Sequence, residues 1–305
     1  MADASPGPRF DTSFDPDTGR PVAVAPGVVR ITAGNRSAFT FTGTNSFLIG
    51  GDRLAVLDPG PDDVGHRSAL LAAIGGRPVE AIILTHTHKD HSAGARSLVA
   101  ATNAPLWFAG PHRLSRPARP FEPNAIGSAC DWSLRPDRTL HDGERFEIGG
   151  VRLAAVTTPG HCANHMSFGV EGADALLSGD HVMGWNSTLV SVPDGSMADY
   201  LASLRKVIAL PYRRHLPAHG GPVEDGPALA RALLAHRQLR NAQVADAVRG
   251  GATRLRDLVA KIYPRLSGPL RFAAGLTLAA HIEYLEDTGV IAVRRSPFGM
   301  RLRPA

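Results

Sequence analysis

Thr85-His86-Thr87-His88-Lys89-Asp90-His91 follows an apolar run over residues 79–84 and leads into a helical one. Its three imidazoles and one carboxylate are hard to explain as packing, because burying so many polar groups without partners costs several kcal/mol. A metal ion removes that cost. His86 and His88, two apart in extended backbone, point to the same side. Imidazole together with carboxylate suits a divalent cation, zinc first, with iron or manganese fitting the same donors.

Outward from this stretch the chain alternates strands and helices. Residues 44–50 and 54–58 flank Gly50-Gly51-Asp52 and read as a hairpin. A helix is expected over 65–74, a strand over 79–84 and a second helix from about 92 to 101. The scheme returns with strands over 151–156, 166–170 and 175–177, a helix over 197–209 and a short strand before Pro217. His or Asp stands at the strand ends in question, so the pattern predicts an α/β sandwich with its polar groups along one edge. The intervening residues 110–142 hold Pro111, Pro117, Pro120, Pro123 and Pro136 and read as an irregular loop near that edge.

Beyond Gly226 the pattern turns helical. Leu255, Leu258, Val259 and Ile262 share one helix face, and Leu278, Ile282 and Leu285 form a second stripe. Ile291 with Val293, and Met300 with Leu302, alternate with polar residues around a Ser296-Pro297-Phe298-Gly299 turn. Helices followed by a hairpin predict a small C-terminal winged-helix domain. The expected divisions are an extended or mobile arm over 1–27, a catalytic domain over 28–227 and the winged helix over 228–305.

Composition narrows the setting. The 305 residues, 43% hydrophobic and 20% charged, fall among ordinary globular chains and away from disorder or collagen. Two cysteines, Cys130 and Cys162, cannot build a disulfide framework, which points to a reducing, cytoplasmic compartment. Apolar runs such as 69–74 are far shorter than a membrane span. Asp3, Asp11, Asp15 and Asp17 near the start, without an apolar core, fit no secretory or transit peptide. Of the net charge of +5, the residues from 228 onward carry 13 Lys or Arg against 5 Asp or Glu. That surplus can attract a polyanion, although Arg outnumbers Lys 30 to 3 throughout.

His-x-His-x-Asp-His after a strand resembles the signature of the metallo-β-lactamase superfamily. The family's further motifs occur in order: Leu57-Asp58-Pro59-Gly60, Thr158-Pro159-Gly160-His161, Ser178-Gly179-Asp180 and Pro217-Ala218-His219-Gly220. The resemblance covers about residues 28–225 and implies a four-layer αββα sandwich. It also implies one metal held by His86, His88 and His161, a second by Asp90, His91 and His219, and Asp180 bridging both. Two cations so held share a hydroxide that serves as nucleophile while both stabilise the developing oxyanion. Asp90 and Asp180 are then the catalytic carboxylates, with Asp90 orienting the hydroxide. Asp at 180, where zinc β-lactamases differ, argues against antibiotic cleavage.

Around these ligands, Asp58 is expected to fix a ligand or loop by hydrogen bonds, with turn capping as its simpler role. His165 reads either as a substrate or outer contact or as a structural partner. His181 is expected to point away from the site. Trp185 and Asn186 read either as pocket wall or as core. His66, His112, His141, His215, His236 and His281 lie outside every matched motif and read as solitary structural histidines.

With Asn45-Ser46-Phe47-Leu48-Ile49 and the C-terminal helices, the chain is similar to β-lactamase-like proteins that include a mitochondrial single-strand-specific endoribonuclease. That similarity implies hydrolysis of an ester-type bond, with single-stranded RNA as one substrate. A small thioester, lactone or β-lactam-like molecule is the other, and a non-enzymatic winged-helix regulator is the remote alternative. The basic tail, with Arg294, Arg295, Arg301 and Arg303 on its wing, would bind nucleic acid, close over the active-site mouth or join a second copy of the chain. Closing the mouth ranks first, because Phe298 is the only aromatic on the wing and stacking on bases is poorly supported.

Overall fold

A computed structural model describes residues 7–296 and 299–305. Seven strands form the first sheet in sequence order: β1 (Val22–Ala25), β2 (Val28–Thr32), β3 (Asn45–Gly50), β4 (Leu54–Leu57), β5 (Val79–Ile83), β6 (Leu106–Phe108) and β7 (Arg138–Thr139). Pairing is antiparallel as far as β4 and parallel from there to β7. The second sheet contains β8 (Arg145–Ile148), β9 (Val151–Thr157), β10 (Met166–Val170), β11 (Ala175–Gly179) and β12 (Arg214–Pro217), with only β11 and β12 parallel.

Both sheets are buried on two faces, which explains their nearly continuous apolar strands. Phe47, Ile49, Leu57 and Ile83 face inward and pack against Phe168, Leu177 and Leu216 of the opposing sheet. Leu48, Val56 and Ile82 face outward against Leu70 and Ile74 of α1 (Val64–Ile74) and Leu98 of α3 (Ala95–Thr102). On the far side, Leu176 meets Leu201 and Leu204 of α4 (Met197–Ile208) and Leu229 and Leu233 of α5 (Gly226–Arg249). The result is the expected αββα order. Truncating an inner residue such as Phe168 to Ala should cost about 3–5 kcal/mol.

Several local departures have physical reasons. Residues 22–25 lie within the expected arm but form β1, which pairs with β2 and buries Val24. A four-residue strand between Pro21 and Pro26 offers too little periodicity to be seen. Phe10 also packs against the α4 and α5 cluster, while residues 1–6 lie outside the described residues. The helix expected from about 92 divides into α2 (Lys89–Ser92) and α3 at Gly94, whose N–H donates to the Gly60 carbonyl.

The boundary expected at 227/228 falls in the first turn of α5. Asp225 caps that helix by accepting from the Ala228 N–H, and Pro227 follows in its first turn. Val244 and Val248 of α5 share a core with Leu258 of α6 (Leu255–Ile262), Leu278 and Ile282 of α7 (Gly268–Asp287), and Ile291 and Leu302 of the hairpin formed by β13 (Ile291–Ser296) and β14 (Gly299–Pro304). Pro297 and Phe298 of the expected turn lie outside the described residues. Arg116 and Arg119 of the proline-rich segment pair with Glu283 of α7 and so clip the two together. Among the described residues, no helix is long and apolar enough to cross a membrane.

Candidate metal centre

The site forms where strands end. Asp58 follows β4, Thr85 and His86 follow β5, His161 comes four residues after β9, Asp180 follows β11 and His219 lies two residues after β12. In α/β sheets these carboxyl ends leave a crevice for ligands. Gly160 allows the Thr158-Pro159-Gly160-His161 turn to press against α4: its φ is +137°, and a Cβ there would lie 2.4 Å from the Tyr200 Cα. Gly179, at φ +53°, likewise sits where a Cβ would meet the His165 ring at 2.6 Å.

The seven motif side chains converge. Ligand atoms of His86, His88 and His161 lie within 4.8 Å of one another, as do those of Asp90, His91 and His219, and those of His86, His91 and Asp180. Asp180 spans the groups, with Oδ2 3.5 Å from His161 Nε2 and Oδ1 3.5 Å from His91 Nε2 and 3.4 Å from His219 Nε2. Asp90 Oδ2 is 3.3 Å from His219 Nε2 and 3.5 Å from His91 Nε2. Donors around a tetrahedral cation at 2.0–2.1 Å stand about 3.3–3.4 Å apart, close to these separations.

Each imidazole of the set is held by its other nitrogen. His91 Nδ1 donates to Asp58 Oδ2 at 2.9 Å, His161 Nδ1 to the Leu189 carbonyl at 2.7 Å and His219 Nδ1 to the Gly43 carbonyl at 3.2 Å. His86 Nδ1 donates to Thr85 Oγ1 at 3.0 Å, and that hydroxyl donates to Asp58 Oδ2 at 2.7 Å. His88 uses Nε2 on Asp194 Oδ2 at 3.1 Å and turns Nδ1 to His161 Nε2 at 2.9 Å. These outer bonds leave the other nitrogen of each ring facing the group. His86 Nε2, His91 Nε2, His219 Nε2 and Asp180 Oδ1 are buried without a hydrogen-bond partner among the described residues. The donors therefore fit divalent cations.

The ligand histidines differ electrostatically, and not simply by end: on His88, grouped with His86 and His161, burial is outweighed by Asp194 and Cys130, and the value rises to about 10. Burial, and then neighbouring imidazoles, push His86 well below the ordinary histidine value and His161 down to about 4, so both are neutral and ready to donate. Burial also opposes charge on His91 and His219, but Asp90 and Asp180 outweigh it: His91 rises well above the ordinary value and His219 to about 9. Burial would raise Asp90 and Asp180, yet the same imidazoles hold both well below the usual carboxylate range. A cation at that end replaces protons.

Asp58 stands one bond behind the group, accepting from the Thr85 N–H and hydroxyl, both at 2.7 Å, as well as from His91. His165 accepts from the Asp180 N–H at 3.0 Å and donates through Nδ1 to Thr158 Oγ1 at 2.8 Å. Both its nitrogens are committed to the protein. His181 turns away and meets the edge of Tyr200. Trp185 reaches the cleft, stacked on Phe41 at 5.0 Å, and Asn186 also lines it.

His112 is not solitary. Its Nε2 donates to Asp194 Oδ1 at 2.7 Å, and its Nδ1 accepts from Thr87 Oγ1 at 2.8 Å. Asp194, fully buried, thus joins His112 to His88, and Cys130 Sγ lies 3.9 Å from it. No motif announces this carboxylate, because Val192-Pro193-Asp194-Gly195 reads as a turn.

The ligand group opens into a cleft of about 580 Å³, lined by Phe39, Ile126, Trp185, Tyr263, Leu270 and Phe272 among others. Polar donors gather at one end of it. Asp90 is the most exposed of the seven side chains, at 31%.

Candidate metal ligands gathered at the strand ends of an αββα sandwich point to a class of metal-dependent hydrolases. The profile of the Metallo-beta-lactamase superfamily matches residues 39–219, and the chain belongs to that superfamily. It is 32% identical over 228 residues to a lactamase-like protein of Penicillium aethiopicum, a match covering 74% of this chain and 67% of that protein. The chain spans about two thirds of the length of such fungal relatives. It is also 27% identical over 308 residues to the atrochrysone carboxyl ACP thioesterase of Aspergillus fumigatus, covering 94% of this chain and 88% of that enzyme. A metallo-beta-lactamase family protein from Thermus thermophilus superposes with a TM-score of 0.74 at 26% identity, covering 93% of this chain and all of that one.

Proposed function

We propose that this superfamily hydrolase cleaves a thioester or ester of an apolar acyl group, using two divalent cations, zinc first. His86, His88 and His161 would hold one cation and Asp90, His91 and His219 the other, with Asp180 between them. Such a pair lowers the pKa of water toward neutrality and neutralises charge developing on a carbonyl oxygen. Asp90, open to the cleft, would orient the nucleophile, and the outer bonds from Asp58, Thr85, Leu189, Gly43 and Asp194 would keep each imidazole in the required tautomer.

The observation that carries this reading is the contrast within the cleft: a polar group at one end and mostly apolar walls elsewhere. Its volume lies in the range typical of small-ligand sites. The similarity to a fungal acyl-carrier thioesterase supports the same class. Arg294, Arg301 and Arg303 do not line the cleft, and Arg295 is paired with Glu286, so the basic wing offers little to RNA at the reaction centre. A parallel turnover screen of the zinc-reconstituted chain should show aryl and acyl thioesters cleaved ahead of lactones, β-lactams and single-stranded RNA. RNA cleavage with thioesters left intact would overturn the proposal.

A further inference from the structure

A guanidinium with no carboxylate partner among the described residues is buried in the cleft. Arg237, on α5, lines it among Met183, Trp185, Leu189 and Phe272, yet is only 2% exposed. Its Nη2 donates to the Thr188 carbonyl, and its guanidinium lies over the Tyr200 ring at 5.4 Å. Its Nε has no partner, and among the described residues no Asp or Glu pairs with it. Arg116 finds acids in Glu122 and Glu283, whereas Arg30, equally buried and also without an ion pair among the described residues, lies away from the cleft. Burying a guanidinium without a counter-ion is costly. Arg237's charge is felt locally: burial first, and Arg237 next, push His236 down to about 4 and His281 well below its ordinary value. The carboxylates of the same cleft are turned elsewhere, since Asp180 faces His91, His161 and His219 and Asp90 faces His91 and His219.

We infer that Arg237 is a specificity-determining anchor for a carboxylate on the substrate's apolar body, so that the substrate is an acyl ester or thioester bearing a second, anionic group away from the scissile carbonyl. This deepens the proposed function and rests on its reading of the cleft as the acyl site. Arg237 is placed for the task. The carbonyl it grips belongs to Thr188, whose hydroxyl donates to the Asp180 carbonyl at 2.5 Å and whose neighbour Leu189 anchors His161. Anion anchor and ligand group are therefore fixed to one loop. The charge-assisted contact selects against neutral analogues, because a guanidinium left buried and unpaired penalises them.

The test is equilibrium binding, read by tryptophan fluorescence and calorimetry on the zinc-loaded full chain, with 2-naphthoate and the isosteric 2-naphthamide as probes. The parent should bind naphthoate about 10–100-fold more tightly than the amide. Arg237→Gln should abolish that preference through weaker naphthoate binding, with the amide bound at least as tightly as by the parent and zinc content measured alongside, and Arg237→Lys should retain part of it. In turnover, Arg237→Gln should raise KM for a carboxylate-bearing aryl thioester by a much larger factor than for its neutral counterpart. Equal weakening of both probes would assign Arg237 a structural role and overturn the inference. So would a naphthoate preference that survives Arg237→Gln, which would place the carboxylate on the cations. If no thioester is turned over but naphthoate binding still depends on Arg237, the anchor stands and the hydrolytic reading alone fails.

Discussion

Histidines buried at the strand-end edge and those buried beneath α4, α5 and α7 are equally hidden from water, but they are wired differently. At the edge, His86, His91, His161 and His219 each fasten one nitrogen to a carboxylate, hydroxyl or carbonyl and turn the other toward a shared centre. In the interior, among the described residues, His181 and His215 have neither nitrogen hydrogen-bonded, and His281 uses only Nδ1, on Asn241. Burial of a histidine is thus no sign of a site. What distinguishes the edge is convergence: its bare nitrogens gather with Asp180 at one place, whereas that of His281 joins no such group among the described residues.

Breaking the edge should have the largest effect. Asp180→Ala removes the group that spans both ends and should strip at least one metal equivalent, measured by mass spectrometry. Turnover should fall about 10³-fold, because each cation contributes several kcal/mol of charge stabilisation; unchanged stoichiometry would refute the bridging role. Asp194→Ala releases the His88 ring without touching a ligand atom, so zinc affinity should weaken by about 10–100-fold in a competition titration with a chelator.

The interior offers the smaller contrast. Burial lowers the His215 pKa to about 4, so the unfolded chain, with its ordinary value near 6.5, takes up the proton first. Stability from this residue is complete above about 6.5 and is lost as pH falls toward 4. His215→Leu should therefore gain roughly 2 kcal/mol relative to the parent between pH 6.5 and 5 in urea denaturation. A parallel pH profile for the two proteins would show that His215 does not titrate in this way.

These regions also differ in how much the sequence discloses. The edge was legible because each strand end carries its donors within a few residues, and spacing alone brings His86, His88, Asp90 and His91 together. Asp58 was legible for the same reason. Asp194 and His112 were not: 82 positions separate them, and each sits singly in a turn-like context. Arg237 was equally silent, since one arginine in an arginine-rich helix looks solvated until the fold buries it. The strands and helices of the sandwich followed from apolar runs and punctuation, whereas β1 was too short to register. The position of α5 across the expected boundary depends on contacts made at both of its ends.

That helix has a mechanical consequence. Its 24 residues extend about 36 Å at 1.5 Å per residue as one continuous beam, with Leu229 and Leu233 embedded in the sandwich and Val244 and Val248 in the terminal bundle. With no joint along it, the span from the ligand group to the far wall is preset like the gap of a caliper. On the proposed reading, side chains such as Leu270 and Phe272 on the cleft wall would gauge acyl length, not a swing of one lobe against another.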